Sequence, residues 1–282
     1  MKKWYSLIDK VYRMENLQSA YKAVRQNRGA PGVDGVTVEA FGQNLQQNLE
    51  QLQHELKAGT YQPKQLLRVE IPKEGSKEKR KLGLPTVRDK VVQQALLNIL
   101  QPIFDPGFHP SSYGYRPNRS CQRAVEKAER FMNRYGLKHV VDMDLSKCFD
   151  LLDDELIIQS VNRKVSDGSV LKLIRKFLET GVMVDGQIEE VKSGNQPGGV
   201  ISPLLVNIYL DYFDQKMKAK GVRIVRTADD ILIFARSKLE AERYFQLAKE
   251  ILEGELKLTV NESKSSLTNV YAGVSYLGFT IY

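Results

Sequence analysis

The stretch Arg223-Ile224-Val225-Arg226-Thr227-Ala228-Asp229-Asp230-Ile231-Leu232-Ile233-Phe234 decides the fold. Two apolar runs flank a short polar centre, which predicts strand, short turn and strand over 222–235. Two neighbouring carboxylates at the tip of such a hairpin repel each other, and the cost falls when cations sit between them. An isolated Asp-Asp is ordinarily a pair of turn residues facing solvent. The apolar strand on each side of Asp229 and Asp230 favours a structural, partly buried hairpin instead.

A second acidic stretch is Val140-Val141-Asp142-Met143-Asp144-Leu145. Over 139–145 it alternates like a strand, so Asp142 and Asp144 share one face and the apolar residues the other. A buried sheet face explains the apolar residues. Two acids on the opposite face make sense where that face meets water or metal. Acids from two strands can gather divalent ions through hard oxygen ligands. Two Mg²⁺ ions roughly 3.5–4 Å apart can activate an attacking hydroxyl and stabilise a leaving phosphate. No zinc site competes with this reading: His54, His109 and His139 lie far apart, and Cys121 and Cys148 have no CxxC spacing.

The 282 residues fit one large domain or two intimate subdomains, and an apolar fraction of 42% provides a sizeable core. The formal net charge of +8 suggests a polyanionic partner, nucleic acid or an acidic membrane surface. Asp9 and Lys10 cut short any apolar segment at the start, so no signal peptide is expected. No run of about 18 apolar residues predicts a membrane span. Two cysteines without a framework fit a reducing, intracellular setting.

Helices are expected over 15–27, 38–57, 86–104, 154–164, 169–180, 203–219 and 238–253. Leu45, Leu49, Leu52 and Leu56 mark the second of these. Strands are expected over 66–72, 82–84 and 273–282, with a hairpin at 182–188 whose Asp185-Gly186 suits a type I′ turn. A glycine-rich loop runs from Gly194 to Gly199. Helices and hairpin-linked strands interleave without regular βαβ units, which makes the class α+β. Within 119–135, Arg119, Arg123, Lys127, Arg130 and Arg134 recur at steps of four, four, three and four. They form one helical face, read either as a solvated face partnered by Glu126 and Glu129 or as a stripe for a phosphate backbone.

Several blocks, in order, carry a family resemblance. They are Arg28-Gly29-Ala30-Pro31-Gly32-Val33-Asp34-Gly35, Ile71-Pro72-Lys73 with Arg80-Lys81-Leu82-Gly83-Leu84-Pro85, and Ser112-Tyr113-Gly114-Tyr115-Arg116-Pro117-Asn118-Arg119-Ser120. Then come Asp142-Met143-Asp144-Leu145-Ser146-Lys147-Cys148-Phe149-Asp150, Gly198-Gly199-Val200-Ile201-Ser202-Pro203-Leu204-Leu205-Val206-Asn207, Ala228-Asp229-Asp230 and Tyr276-Leu277-Gly278-Phe279. The chain resembles the reverse transcriptases, or maturases, encoded by bacterial group II introns.

The resemblance implies a right-hand polymerase with fingers and palm, the palm a small antiparallel sheet flanked by helices. Residues 1–138 would be mostly fingers, with the fingertip hairpin 66–84 and the basic helix 119–135. Residues 139–282 would be mostly palm, returning partly to fingers around 154–200. It implies that Asp144, five residues before Phe149, is the metal ligand rather than Asp142. Asp229, Asp230 and the Leu145 carbonyl would complete the set for two Mg²⁺, with Mn²⁺ as a substitute. Phe149 would lie beneath the incoming sugar and exclude a 2′-hydroxyl. Lys73 and Arg80 would grip the triphosphate, Gly198 and Gly199 would let backbone approach the nucleotide, and Lys264 would stand near the metal site. The implied partners are an RNA template and primer, in particular intron RNA, and dNTPs, with no membrane and a bacterial cytoplasmic location.

Three departures stand out. Thr227 replaces the family's tyrosine before Ala-Asp-Asp; Gln196-Pro197 reverses the usual Pro-Gln order; and the thumb and maturase regions are expected to be absent. They motivate a second expectation, a catalytically impaired polymerase-fold module that binds RNA and assists intron splicing. A third is a reverse transcriptase of a related bacterial system.

Overall fold

The computed structural model describes residues 3–72, 79–184, 186–189 and 198–282. The chain divides into unit 1, Met1–Pro106 with Asp154–Leu205, and unit 2, Gly107–Asp153 with Val206–Tyr282.

Unit 1 opens with α1 (Ile8–Val11) and α2 (Met14–Gln26). α2 buries Leu17, Ala20, Tyr21 and Val24, the spacing of one helical face. The single helix expected over 38–57 is two helices, α3 (Val38–Gln43) and α4 (Leu45–Ala58). Asn44 leaves the helical region at φ −117°, ψ 40°. Asn48 Nδ2 donates to the Phe41 carbonyl at 2.8 Å, supplying a partner at the end of α3 that the broken helix no longer provides.

β1 (Leu66–Pro72) and β2 (Lys79–Leu84) pair antiparallel from Leu67 with Leu84 to Pro72 with Lys79. α5 (Val87–Phe104) follows, capped by Thr86, whose Oγ1 accepts from the Asp89 N–H. After the excursion into unit 2, α7 (Asp154–Asn162) and α8 (Gly168–Leu178) return to unit 1. β4 (Val182–Val184) pairs parallel to β1 and antiparallel to β5 (Gln187–Glu189), giving the order β2-β1-β4-β5. The expected hairpin is therefore present; Asp185 of its turn lies outside the described residues.

Asp167 ties the two ends of unit 1 together. Its Oδ1 accepts from the Ser169 and Val170 N–H groups at 2.9 and 3.1 Å, and its Oδ2 from Leu7 and Ile8 at 2.6 and 2.9 Å. One carboxylate thus satisfies free N-terminal donors of both α8 and α1. Burial pushes the Asp167 carboxyl up, but its four backbone donors together hold it below the usual carboxylate range.

Unit 2 is built on an antiparallel sheet in the order β6-β7-β3-β8. Its strands are β3 (His139–Met143), β6 (Arg223–Thr227), β7 (Asp230–Ala235) and β8 (Ser266–Asn269). β7 is buried from Ile231 to Ala235, which accounts for its unbroken apolar run. On one face packs α6 (Cys121–Asn133), where Phe131 meets Phe234 with ring centroids 5.3 Å apart. The hairpin of β9 (Val274–Tyr276) and β10 (Phe279–Ile281) extends the same core through Tyr276 and Ile281. α9 (Ser202–Ala219) enters unit 2 from Val206. α10 (Lys238–Lys249) packs on β7 and β3, and continues as a π-helical turn to Glu255. The first division of the chain falls between Pro106 and Gly107, and α6 packs on β6 and β7 within unit 2.

Candidate active site

β6 and β7 are joined by a two-residue turn, Ala228-Asp229, with Thr227 paired to Asp230. Ala228 has φ 58°, an uncommon conformation for a residue with a side chain. Arg226 holds it. The guanidinium is fully buried and all five of its N–H donors are used. Nη1 donates to the Ala228 carbonyl at 2.8 Å and to Asn207 Oδ1 at 3.0 Å. Nη2 donates to Ser112 Oγ at 3.0 Å and Asp214 Oδ2 at 2.7 Å, and Nε to Asp214 Oδ1 at 2.9 Å.

The Arg226 backbone is paired as well. Its N–H donates to the Ser111 carbonyl at 2.9 Å, and its carbonyl accepts from Tyr113 N at 2.8 Å. Segment 111–113 thereby runs alongside β6. Gly114 follows, where an added Cβ would lie 3.0 Å from the Thr227 carbonyl carbon and 3.1 Å from Ala228 Cα, and would overlap Ala228 N. Asn207 Nδ2 donates to the Gly114 carbonyl at 2.8 Å, so one side chain braces both the loop and the arginine.

The register of β3 on β7 sets Asp142 opposite Leu232 and Met143 opposite Ile231. Asp144 therefore emerges just past the strand end, at the end of β7 where Asp230 stands. Its backbone is clamped: N donates to Ser265 Oγ at 3.1 Å, and its carbonyl accepts from Asn261 N at 2.9 Å. Leu145 forms a bridge with Val260, and Ser146 N donates to Thr259 O at 2.9 Å. Lys264 is exposed on the same turn, between Asn261 and Ser265.

The acids feel one another. Burial, then Asp229, Asp142 and Asp144, push the Asp230 carboxyl up to about 6. Burial and then Asp144 raise Asp142. By alternation Asp142, Asp230 and Thr227 share one sheet face. Asp142 thus belongs to the charge group, as its period-two spacing from Asp144 leads one to expect. Among the described residues, no three histidine, cysteine or carboxylate side chains stand close enough to form a ready metal cage. The donor chemistry nevertheless fits a hard divalent cation: Asp142, Asp144 and Asp229 are partly exposed and Asp230 exposed, and all offer carboxylate oxygens whose repulsion such a cation would relieve.

Phe149 lies on the short 3₁₀ turn Cys148–Leu151, partly buried, with the ring of Tyr115 edge-on at 6.5 Å. Thr227 Oγ1 accepts from the Tyr276 hydroxyl at 3.0 Å, so the position where the family has tyrosine is met by a phenol from β9. Gly198, in unit 1, packs against β2: a Cβ there would stand 2.5 Å from the Gly83 carbonyl oxygen. A Cβ on Gly199 would stand 2.6 Å from Ser202 Oγ. The backbone contact and a φ of 114° demand glycine at Gly198, whereas a side chain at Gly199 would require Ser202 Oγ and Gln93 Oε1 to turn aside. Arg80 pairs with Ile71 in the β1–β2 ladder; its side chain, like Lys73 and the Gln196-Pro197 step, lies outside the described residues.

The basic stripe is only partly helical. Ser120 caps α6, so Arg119 precedes the helix; its Nη1 donates to the Pro110 carbonyl at 2.9 Å and its guanidinium lies over Tyr113. Arg123 donates to the Asn118 carbonyl at 2.7 Å, and Lys127 lies over the Phe131 ring. Arg130 and Arg134 are exposed. Burial, then Arg130, Arg223 and Arg119, lower the Lys127 ammonium. Arg223 of β6 therefore joins the cations of the stripe, which helical spacing could not disclose.

The architecture is that of the fingers and palm of a right-hand polymerase. Residues 71–281 match the family described as reverse transcriptase (RNA-dependent DNA polymerase), and the chain belongs to that family. It is 33% identical to protein YkfC of Escherichia coli over 96% of its length and 81% of that protein. It is 34% identical to the group II intron-encoded protein LtrA of Lactococcus lactis, over 86% of this chain and 40% of that protein. Apo telomerase from Candida tropicalis shares the fold at a TM-score of 0.61 and 14% identity, over 78% of this chain and 47% of telomerase. The chain thus spans most of YkfC and less than half of the other two. No helix among the described residues is long and apolar enough to cross a membrane.

Proposed function

We propose that the chain is an RNA-directed DNA polymerase of the group II intron type, adding deoxynucleotides to a primer on an RNA template. The observation that carries this reading is the gathering of Asp144, Asp229 and Asp230 at one end of the unit 2 sheet, with the Asp230 carboxyl raised by desolvation and then by the other acids. Asp144, Asp229, Asp230 and the Leu145 carbonyl would hold the divalent cations. Two bound Mg²⁺, or Mn²⁺ in their place, would supply charge neutralisation at the attacking and leaving oxygens.

The chain's own residues position. The buried Arg226 fixes the Ala228-Asp229 turn, and the Ser265 and Asn261 contacts fix Asp144. Unit 1 serves as fingers, with Lys73 and Arg80 on the triphosphate and Gly198 and Gly199 beside the nucleotide. Unit 2 serves as palm, with Phe149 under the sugar and Lys264 near the phosphates. Arg119, Arg123, Lys127, Arg130 and Arg134 face a nucleic-acid backbone. Intron RNA is the natural template, and the bacterial cytoplasm the natural setting. The test is primer extension on a primed RNA template with Mg²⁺: Asp229→Asn should abolish it, and extension near the parental rate would sink the metal-ligand assignment.

A second reading, an RNA-binding module that assists intron splicing, draws on Thr227. Its hydroxyl is engaged by Tyr276, where the family's tyrosine would help seat primer and template. That reading expects salt-sensitive RNA binding without dNTP incorporation.

A further inference from the structure

Tyr115 occupies a position that is costly for a bulky residue. Its φ is 53°, and its side chain is 60% exposed. Large residues remain in the left-handed region only where the surroundings over-determine them.

Those surroundings are specific. On one side, wholly buried Ser112 accepts from Arg226 at its Oγ and from Arg116 Nη1 at its carbonyl, 2.8 Å. The Gly114 carbonyl accepts from Asn207. On the other side, Arg116 also donates to the His109 carbonyl at 3.1 Å and lies over the Phe108 ring. The loop is anchored before and after Tyr115, so the exposure of this ring is not slackness. The ring meets Phe149 edge-on, with centroids 6.5 Å apart and planes at 90°. Edge-to-face is the favoured arrangement for two aromatic quadrupoles. Phe149 itself follows Lys147, which is held at φ 46°. Two strained segments from opposite ends of the Gly107–Asp153 stretch thus present their aromatic rings to each other.

We infer that Tyr115 is a positioning residue for sugar selection. Its ring backs that of Phe149 and fixes how far Phe149 stands from the ribose of an incoming nucleoside triphosphate. This rests on the polymerase reading above. A side chain that merely filled space would affect folding. One that positions Phe149 affects the preference for a deoxy sugar over a 2′-hydroxyl sugar.

The experiment compares the parent with Tyr115→Phe and Tyr115→Ala on a primed RNA template with Mg²⁺. With a primer ended in a dideoxynucleotide, no bond can form. The readout is then the dNTP and the rNTP concentration needed to hold the protein–primer–template complex against heparin. The same preference is measured as a ratio of kcat/KM values in single-nucleotide extension from an ordinary primer. Tyr115→Ala should narrow the deoxy preference roughly 3- to 10-fold in both assays, the range expected for one aromatic pair. Tyr115→Phe, which keeps the ring, should retain the parental preference. If Tyr115→Ala does not fold, Tyr115→Leu replaces it, with the same expectation. A parental preference in the ringless variant overturns the inference and leaves the polymerase reading intact. A parent that neither extends nor forms a dNTP-stabilised complex overturns that reading and this inference with it.

Discussion

Gly114 and Ala228 meet backbone to backbone, with no room between them for even one side-chain carbon. The acid-bearing turn is therefore seated directly on the 111–116 loop. Gly114→Ala must displace one of the two, and overpacking of this kind costs about 1–3 kcal/mol. The thermal midpoint should fall. Primer extension measured well below that midpoint should fall too, because the displaced partner carries Asp229. A variant with the parental midpoint and rate would show that the seat yields freely.

Arg226 and Asp214 form an ion pair with neither side chain exposed. Removing one partner leaves the other charged and buried, at a cost of about 3–5 kcal/mol. Arg226→Met and Asp214→Leu should each destabilise strongly in urea denaturation. The double variant should cost clearly less than the sum, since no charge remains stranded. Additive losses would mean that the pair acts mainly through Asn207, Ser112 and the Ala228 carbonyl.

Asp167→Asn should weaken unit 1 by about 1–2 kcal/mol, the scale of a lost helix cap. The four N–H donors hold the folded carboxyl below its unfolded value, so its contribution is fully present above the unfolded pKa of about 3.9 and disappears as pH falls through the lower folded value. Urea midpoints of parent and variant should differ at pH 6 and converge as pH falls below the unfolded value. A gap independent of pH would mean that the charge is not what caps the helices.

Arg130, Arg223 and Arg119 all depress the Lys127 ammonium, after burial, which marks a field with an excess of positive charge. Arg130→Gln with Arg223→Gln should reduce the slope of log affinity against log salt for single-stranded RNA by roughly 0.7 per charge removed. Filter binding between 50 and 200 mM salt would measure it. An unchanged slope would return the stripe to the role of a solvated face.

The hairpin around Asp229 and Asp230 was legible because burial of β7 leaves an unbroken apolar run, and β3 because buried Val141, Met143 and Leu145 alternate with the partly exposed Asp142 and Asp144. The role of Arg226 was not. Its donors are met by Asp214, Asn207, Ser112 and Ala228, which only the folded chain assembles. Leucine periodicity hid the break at Asn44, since Leu49, Leu52 and Leu56 stay on one face of α4 after it. β8, Ser266–Asn269, is a polar edge strand with no alternation to read. The resemblance selects Asp144 over Asp142 by its spacing from Phe149, while charge couples Asp142 to its neighbours on the same face irrespective of motif.

The cap shared by α1 and α8 also sets an order of events. Leu7 and Asp167 are 160 residues apart in sequence. At roughly 5–20 residues per second of synthesis, α1 waits about 8–30 s for its acceptor to leave the ribosome. Four residues cannot hold a helix alone in that interval. The Trp4 backbone N–H and carbonyl likewise pair with Lys164 and Ser166, both made long after it. The N-terminal segment therefore gains its cap and its Trp4 backbone pairing only after the Gly107–Asp153 segment has already been translated, like a clasp fastened late.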